Sequence, residues 1–299
     1  MNNGQLNAVL YQISRLTADR KARQQTDREL LERFMALQDQ AAFAALVERH
    51  GSLVLSVCRR VLPHSHDAED ACQAAFLVLA RKAGSIRKRD SLASWLHGVA
   101  YRSAMSLRRH LSRHHRREAP LKDIASSTRT DELTWREVLG ALDAELERLP
   151  ETLRAPLVLC YLQGKTRDEA AQELGWKVPT LRGRLERGRR LLRSRLTRRG
   201  LALSAALLAP ALARQATAAV SPTRVMNTVK AAILLAAGHT SVPGMIPARV
   251  TSALEGVLQT MFVSKLKMVA LMVLTVGLVG TGAGTLAYRS QAAQALQAE

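Results

Sequence analysis

Seven arginines crowd into the nineteen residues "VPTLRGRLERGRRLLRSRL", Val178 to Leu196, with Glu186 the single acid. Guanidinium groups at this density are suited to one kind of chemistry. Their planar donor forks pair with phosphate oxygens and with the O6/N7 edge of guanine. The same stretch keeps leucines at 181, 185, 192 and 196. That spacing predicts a helix with a narrow apolar seam and a wide cationic surface. Three partners compete for such a helix: nucleic acid, an anionic membrane surface, or water alone.

The residues just upstream favour the first. In "TRDEAAQELGWKVPTLRGRLERGRR", Thr166 and Glu169 have the T-x-x-E spacing of a capping box. Ala171 is small where a second helix must cross closely. Gly175 follows, where a turn can need positive φ. Pro179 suits a first helical turn and Leu181 anchors the second helix. Together they predict a helix-turn-helix, whose second helix enters a DNA major groove. An ordinary helical hairpin shares the small-residue pattern, but residues 176–200 hold ten Lys and Arg against one Glu. A merely solvated face mixes its signs. Thr180, Arg182, Gly183, Arg184 and Arg187 lie in the first two turns and are candidates for base edges or nearby phosphates. Arg189, Arg190, Arg193 and Arg195 lie further along and are expected to meet phosphates or to stay solvated.

Elements must position that helix. Alanine, leucine and arginine dominate the 299 residues and aromatics are only 4%, a helix-favouring composition. Apolar periodicity begins after Asp27 and continues through "AAFAALVERHGSLVLSVCRRVL", which Pro63 ends. "HSHDAEDACQAAFLVLARKAG" restarts it, with Asp67 as the expected cap and Gly84 as the stop. A basic loop, "IRKRD", leads to Ser91 or Ser94 as the cap of "WLHGVAYRSAMSLRRHLSRHHRRE". Residues 118–131 read as a linker, and a helix follows from about Glu132 to Leu149. Pro156 should kink the next helix or shift its start. Strand-like alternation is missing throughout. The expected fold is all-α: two helical bundle domains joined by a linker, plus an apolar helical C-terminal tail. The expected divisions are a disordered 1–26, domains at 27–117 and 132–200, the linker 118–131, an apolar extension 201–267 and a hydrophobic helix 268–288.

The bulk charge is consistent with a polyanionic partner: the net charge is +19 and the pI about 11.0. It is unevenly placed, since only seven basic and two acidic residues follow Gly200. Three cysteines, at 58, 72 and 160, form no C-x-x-C and fit a reducing cytosol. The first 25 residues lack the apolar core of a secretory signal. "MVALMVLTVGLVGTGAGTLAY", Met268 to Tyr288, is 21 residues without a charge, long enough to cross a bilayer. Lys265 and Lys267 before it, against Arg289 after it, favour an N-terminus on the cytoplasmic side. The spacing of His64, His66, Asp67 and Cys72 matches no standard zinc site. Hydrolase, metalloprotease and nucleotide-loop motifs are missing too. Neither catalysis, metal nor cofactor is expected.

Two blocks then narrow the class. "DAEDACQAAFLVLARKAG" followed by "SLASWLHGVAYRSAMSLRRH" resembles region 2 of the extracytoplasmic-function group of sigma-70 factors, with its D-A-E-D start, Q-x-x-F and W-L-x-x-x-A. "LPETLRAPLVLCYLQGKTRDEAAQELGWKVPTLRGRLERGRRLLRSRL" resembles their region 4. The short spacer lacks region 3, as in that group. The resemblance covers about residues 27–200 and implies a promoter-specificity subunit of bacterial RNA polymerase. It implies that Glu69, Asp70, Gln73 and Phe76 dock on the polymerase clamp. It implies that Arg87, Lys88, Arg89, Ser91, His97, Tyr101, Arg102, Arg108 and Arg109 bind the minus-10 element and its opened strand. Region 4 would read the minus-35 element and touch the polymerase flap. Two departures bear on promoter preference: Arg102 or Ser103 stands where Asn is common, and Lys177 where a Ser cap is frequent. The expected location is cytoplasmic domains tethered to the inner membrane by residues 268–288. Such a tether would replace or supplement a separate anti-sigma protein. The alternative is a membrane-anchored helix-turn-helix regulator that is no polymerase subunit; the D-A-E-D-x-x-Q-x-x-F block speaks against it.

Overall fold

Capping chemistry sets where the helices begin. In the computed structural model, which describes residues 24–86, 91–118, 135–201, 221–237, 247 and 249–260, every assigned element is helical. Helix α1, Asp27–Leu37, opens on a capping box. The Thr26 hydroxyl accepts from the Glu29 amide while the Glu29 carboxylate accepts from the Thr26 amide. Gln38 then turns left-handed at φ 50°, and Asp39 caps α2, Gln40–Val61, by accepting from the amides of Ala41 and Ala42. Helix α3, Ser65–Lys82, differs from expectation: its N-cap is His64, which makes no side-chain cap bond. Asp67 lies inside the first turn, where its charge still faces the positive helix end. After a 3-10 turn at Ala83–Ser85, helix α4 runs Leu92–Glu118. Leu30, Leu31, Phe34, Phe43, Leu46, Phe76, Leu77 and Leu96 form the fully buried centre of this half, with Phe34 and Phe43 ring to ring at 4.5 Å.

The second half starts with α5, Trp135–Glu147, whose Val138, Leu139, Leu142 and Leu146 make one buried stripe. Pro150 caps the short α6, Glu151–Leu157. Pro156 has no N–H to donate, and the expected kink takes the form of a widening. Residues Val158–Leu162 form a π turn, closed by the Gln163 amide on the Val158 carbonyl. Helices α7, Arg167–Leu174, and α8, Val178–Arg198, complete this half. Gly188 of α8 faces α6 closely: a Cβ there would meet the Leu157 side chain and the Leu153 carbonyl oxygen.

The two helical domains pack together, and Leu53 of α2 and Ala93 of α4 belong to the leucine core of the second half. The extension after residue 200 is also folded in part, with α9, Pro222–Ala236, packed across α3 and α2. The linker core at 119–131 and the hydrophobic segment 268–288 lie outside the described residues, as does the N-terminal segment to residue 23. All these helices belong to one unit, Met1–Glu255; in the other, Gly256–Glu299, residues 256–260 are described and helical. Among the described residues the one helix long and apolar enough to cross a membrane is α2, and it is mostly buried in the protein core.

Candidate nucleic-acid interface

The turn unit has the geometry its residues require. The Thr166 hydroxyl accepts from the Glu169 amide at 3.3 Å, and the Glu169 carboxylate accepts from the Thr166 amide at 2.8 Å. Those bonds hold the exposed Glu169 carboxyl below its ordinary value. Gly175 closes α7 at φ 64°, in the left-handed region. Its amide and that of Trp176 bond back to the carbonyls of Gln172 and Ala171. Ala170, Ala171 and Leu174 from α7 meet Leu181, Leu185, Leu192 and Leu196 from α8 in one core, so the leucine seam faces inward as its spacing requires. The N-cap of α8 is Lys177, and it makes no side-chain cap bond.

The opposite side of α8 is cationic. Thr180, Arg182, Gly183 and Arg187 are exposed. Among the described residues no ion pair engages Arg182 or Arg187. Arg184 is half-buried, its guanidinium 4.0 Å from the centre of the Trp176 ring, a cation–π contact that orients it. Further along, Arg195 and Arg199 reach the buried Glu145 at 3.7 and 2.7 Å, tying the end of α8 to α5. Arg195 is thereby a structural residue in this arrangement, not a free phosphate contact.

The second cationic group is split. Arg87, Lys88 and Arg89 lie outside the described residues. Arg108 and Arg109 are exposed on α4. Tyr101 is half-buried, and burial raises its phenol above the ordinary value. Ser91 and His97, expected at the DNA surface, are in the interior instead. His97 is fully buried, and its Nε2 donates to Asp143 Oδ1 at 3.0 Å. Arg102 is paired with Glu147 of α5. The physical reason is the packing of the halves, which brings the carboxylates of α5 onto this face of α4.

Sequence reasoning missed that seam. At its centre Arg60 and Asp143 form a two-point pair, Nε to Oδ2 at 2.5 Å and Nη2 to Oδ1 at 2.9 Å, with both side chains buried. Burial pushes the Asp143 carboxyl up, but the Arg60 charge and the His97 bond outweigh it and leave it lowered. Arg154 of α6 adds bonds to Glu147 Oε2 at 2.8 Å and Ser94 Oγ at 3.1 Å. Gly98 makes room, because a Cβ there would collide with the Glu147 carboxylate. The available signal was Asp143 and Glu147 one helical turn apart, interleaved with Leu139, Leu142 and Leu146.

On α3, Glu69, Asp70 and Gln73 are half-buried and line a cavity of about 540 Å³. Phe76, expected as a contact residue, has a side chain that is 1% exposed and belongs to the core beneath them. Among the described residues no cluster of three or more His, Cys, Asp or Glu is placed to hold a metal.

A capped helix-turn-helix with an exposed arginine face defines a DNA-binding protein of the transcription machinery. Known proteins refine this. The family model "Sigma-70 region 2" matches residues 46–116, and "Sigma-70, region 4" matches residues 139–192. The ECF RNA polymerase sigma factor SigM of Mycobacterium tuberculosis is 33% identical over 166 residues, 56% of this chain and 82% of that protein. SigE of Mycolicibacterium smegmatis is 32% identical over 173 residues, 55% of this chain and 66% of that protein. The solved sigma factor RpoE of Bartonella quintana, in complex with the anti-sigma factor NepR, matches 48% of this chain and 90% of its own at 19% identity and a TM-score of 0.23. The chain belongs to the extracytoplasmic-function sigma factors of the sigma-70 family. It is an RNA polymerase sigma factor, a non-enzymatic subunit acting in transcription initiation.

Proposed function

We propose that this sigma factor docks on core polymerase through α3 and reads a minus-35 type element with the first two turns of α8. It holds the minus-10 element with the basic stretch from residue 87 and with α4, and residues 268–288 tether it to the inner membrane. The observation that carries the reading is the exposed face of α8, where no ion pair among the described residues engages Arg182 or Arg187 and Arg184 is held by Trp176. Arginine in this position can take guanine edges in two-point fashion while the arginines further along hold phosphates. Glu69, Asp70 and Gln73 are assigned to the polymerase clamp by family resemblance, with Phe76 supporting them from below. Arg108 and Arg109, exposed on α4, meet the opened strand. His97 and Arg102, held by Asp143 and Glu147, would join them with Tyr101 when α5 moves off α4, while Ser91 lies in the interior. A separate anti-sigma protein is a further proposed partner. The tether is supported by 21 uncharged residues flanked by Lys265, Lys267 and Arg289.

Transcription by purified full-length protein and core polymerase on a pool of promoter fragments tests the first part. Promoter-dependent transcripts are expected, and their absence on every fragment would overturn the assignment of contacts. Cell fractionation tests the second. The full chain should sediment with membranes and become soluble when residues 268–288 are deleted; a wholly soluble full chain would end the tether proposal.

A further inference from the structure

The face of α3 that carries Glu69, Asp70 and Gln73 is not open. Helix α9 lies across it. Ser221 caps α9, accepting from the Arg224 amide at 3.4 Å, and Pro222 begins its first turn. Thr228, Val229, Ala231 and Ala232 are the buried stripe of α9 and face the rest of the protein. At the N-terminal end of that stripe the Arg224 Nη2 meets Glu69 Oε2 at 2.5 Å. A second arginine from a separate segment, Arg249, meets Asp67 Oδ1 at 3.3 Å. Thus two of the seven basic residues after Gly200 lie on the acidic start of α3. Thr223, Arg224, Asn227 and Thr228 line the cavity opposite Glu69, Asp70 and Gln73. Burial there raises the Asp70 carboxyl, with Asp67 and Glu69 adding to the effect and Arg224 and Arg249 opposing it.

This cover lies beyond the part of the chain shared with its family. The region 4 model ends at residue 192, and the two mycobacterial relatives match only 55–56% of the chain. We propose that the acidic face of α3 is an interaction surface whose resident occupant is the chain's own extension, α9 with Arg249, and that core polymerase must displace that occupant to bind. The proposal rests on the assignment of α3 as the polymerase surface. Its chemistry is direct competition: a basic, small-residue helix in place covers the carboxylates that the clamp would contact. Binding of polymerase therefore costs the opening of α9, and anything that loosens α9 raises the apparent affinity.

Cys72 reports on the cover. It lines the same cavity, and burial, with Glu69 adding, pushes its thiol up to about 12. Cys58, buried where it meets the Ala100 carbonyl, is an internal reference. The test compares the full-length protein with full-length Arg224→Glu/Ala232→Arg. Alkylation of Cys72 and Cys58 is followed by mass spectrometry, and affinity for purified core polymerase is measured in parallel. The expected result is faster labelling of Cys72 with Cys58 still protected, together with tighter polymerase binding. If about one molecule in ten is open in the parent, full release tightens apparent binding about tenfold. Faster Cys72 labelling with unchanged polymerase affinity overturns the competition while leaving the sigma factor assignment intact. Unchanged Cys72 labelling overturns the seating of α9. Exposed Cys72 with no polymerase binding by either protein overturns the α3 assignment and the competition with it.

Discussion

Arg102 of α4 and Glu147 of α5 are paired across the seam between the two halves of the protein, and Gly98 is what lets them meet. Arg102, which the family resemblance assigns to the opened promoter strand, is held by a carboxylate of the protein itself. Burial lowers the Arg102 guanidinium from its usual value, and the nearby Glu147 charge opposes that effect.

Gly98→Ala should therefore pry the seam apart. The added methyl would strike the Glu147 carboxylate, so that carboxylate must turn away from Arg102 and Arg154; alanine gains about 1 kcal/mol over glycine inside a helix, which leaves a net loss of about 1 kcal/mol. Urea unfolding should show the loss, and small-angle scattering should show a larger radius of gyration. An unchanged radius and midpoint would mean that the seam absorbs the methyl group without opening.

Asp143→Ala is the harsher change, because it takes the two-point partner away from the buried Arg60. Removing one partner of a buried pair costs about 3–5 kcal/mol. Replacing both residues by apolar ones of similar size, Arg60→Met with Asp143→Leu, should recover most of that loss. Denaturation midpoints of the single and double variants decide the matter, and a double variant no better than the single would show that the pair is needed for more than charge balance.

Carboxylates among the leucines of α5 mark one side of the seam, but their partners could not be read from a single sequence. Leu181, Leu185, Leu192 and Leu196 announce a buried face through their spacing, and the capping box at Thr166 announces where a helix starts. Those are local signals, set within one or two helical turns. Arg60 and Asp143 are 83 residues apart, and nothing near either says that the other exists. Family resemblance assigns Phe76 and His97 to surfaces, because it matches types in a motif without fixing which way each side chain faces. The helix α9 stayed illegible for another reason: its small apolar residues suit any interface, and only the contact of Arg224 with Glu69 says which one.

Acid should loosen the protein through Asp27 and Asp143. Burial raises the Asp27 carboxyl, but the charge and hydrogen bond of His50, with Arg49, hold it well below the ordinary carboxylate range. Asp143 is lowered as well. A depressed folded value means that the unfolded chain binds more protons at low pH. Their contribution is complete above the unfolded carboxyl value of about 3.9 and is lost as pH falls through the folded values. Urea midpoints should decline as pH falls from about 4 to about 2, and the decline should be shallower in Asp27→Asn. Equal slopes would remove Asp27 from the account.

On DNA, Arg187→Ala and Arg193→Ala should differ in kind. A lost phosphate contact lowers the salt slope of log K by about 0.9 for every sequence alike. A lost guanine contact removes about 1–3 kcal/mol of discrimination at one position. Arg187→Ala should show the second pattern and Arg193→Ala the first, in titrations at several salt concentrations. Trp176→Leu should mimic a partial loss of Arg184, since the ring that orients it is gone. Identical salt slopes and identical sequence preferences in all three variants would contradict this division.

The turn unit offers two stability tests. Thr166→Ala deletes the cap of α7 and should cost about 1 kcal/mol. Gly175→Ala meets no neighbour within 4 Å, so its cost is the left-handed backbone alone, about 1–2 kcal/mol. Thermal melts should rank Gly175→Ala at least as low as Thr166→Ala.

Arg224 and Glu69 belong to one polypeptide. Closure of α9 is therefore a first-order event with no concentration in it. An inhibitor on a second polypeptide can be outnumbered when its target is overproduced. One carried on the same chain keeps a one-to-one ratio at every expression level, so raising the dose of the gene leaves the closed fraction unchanged.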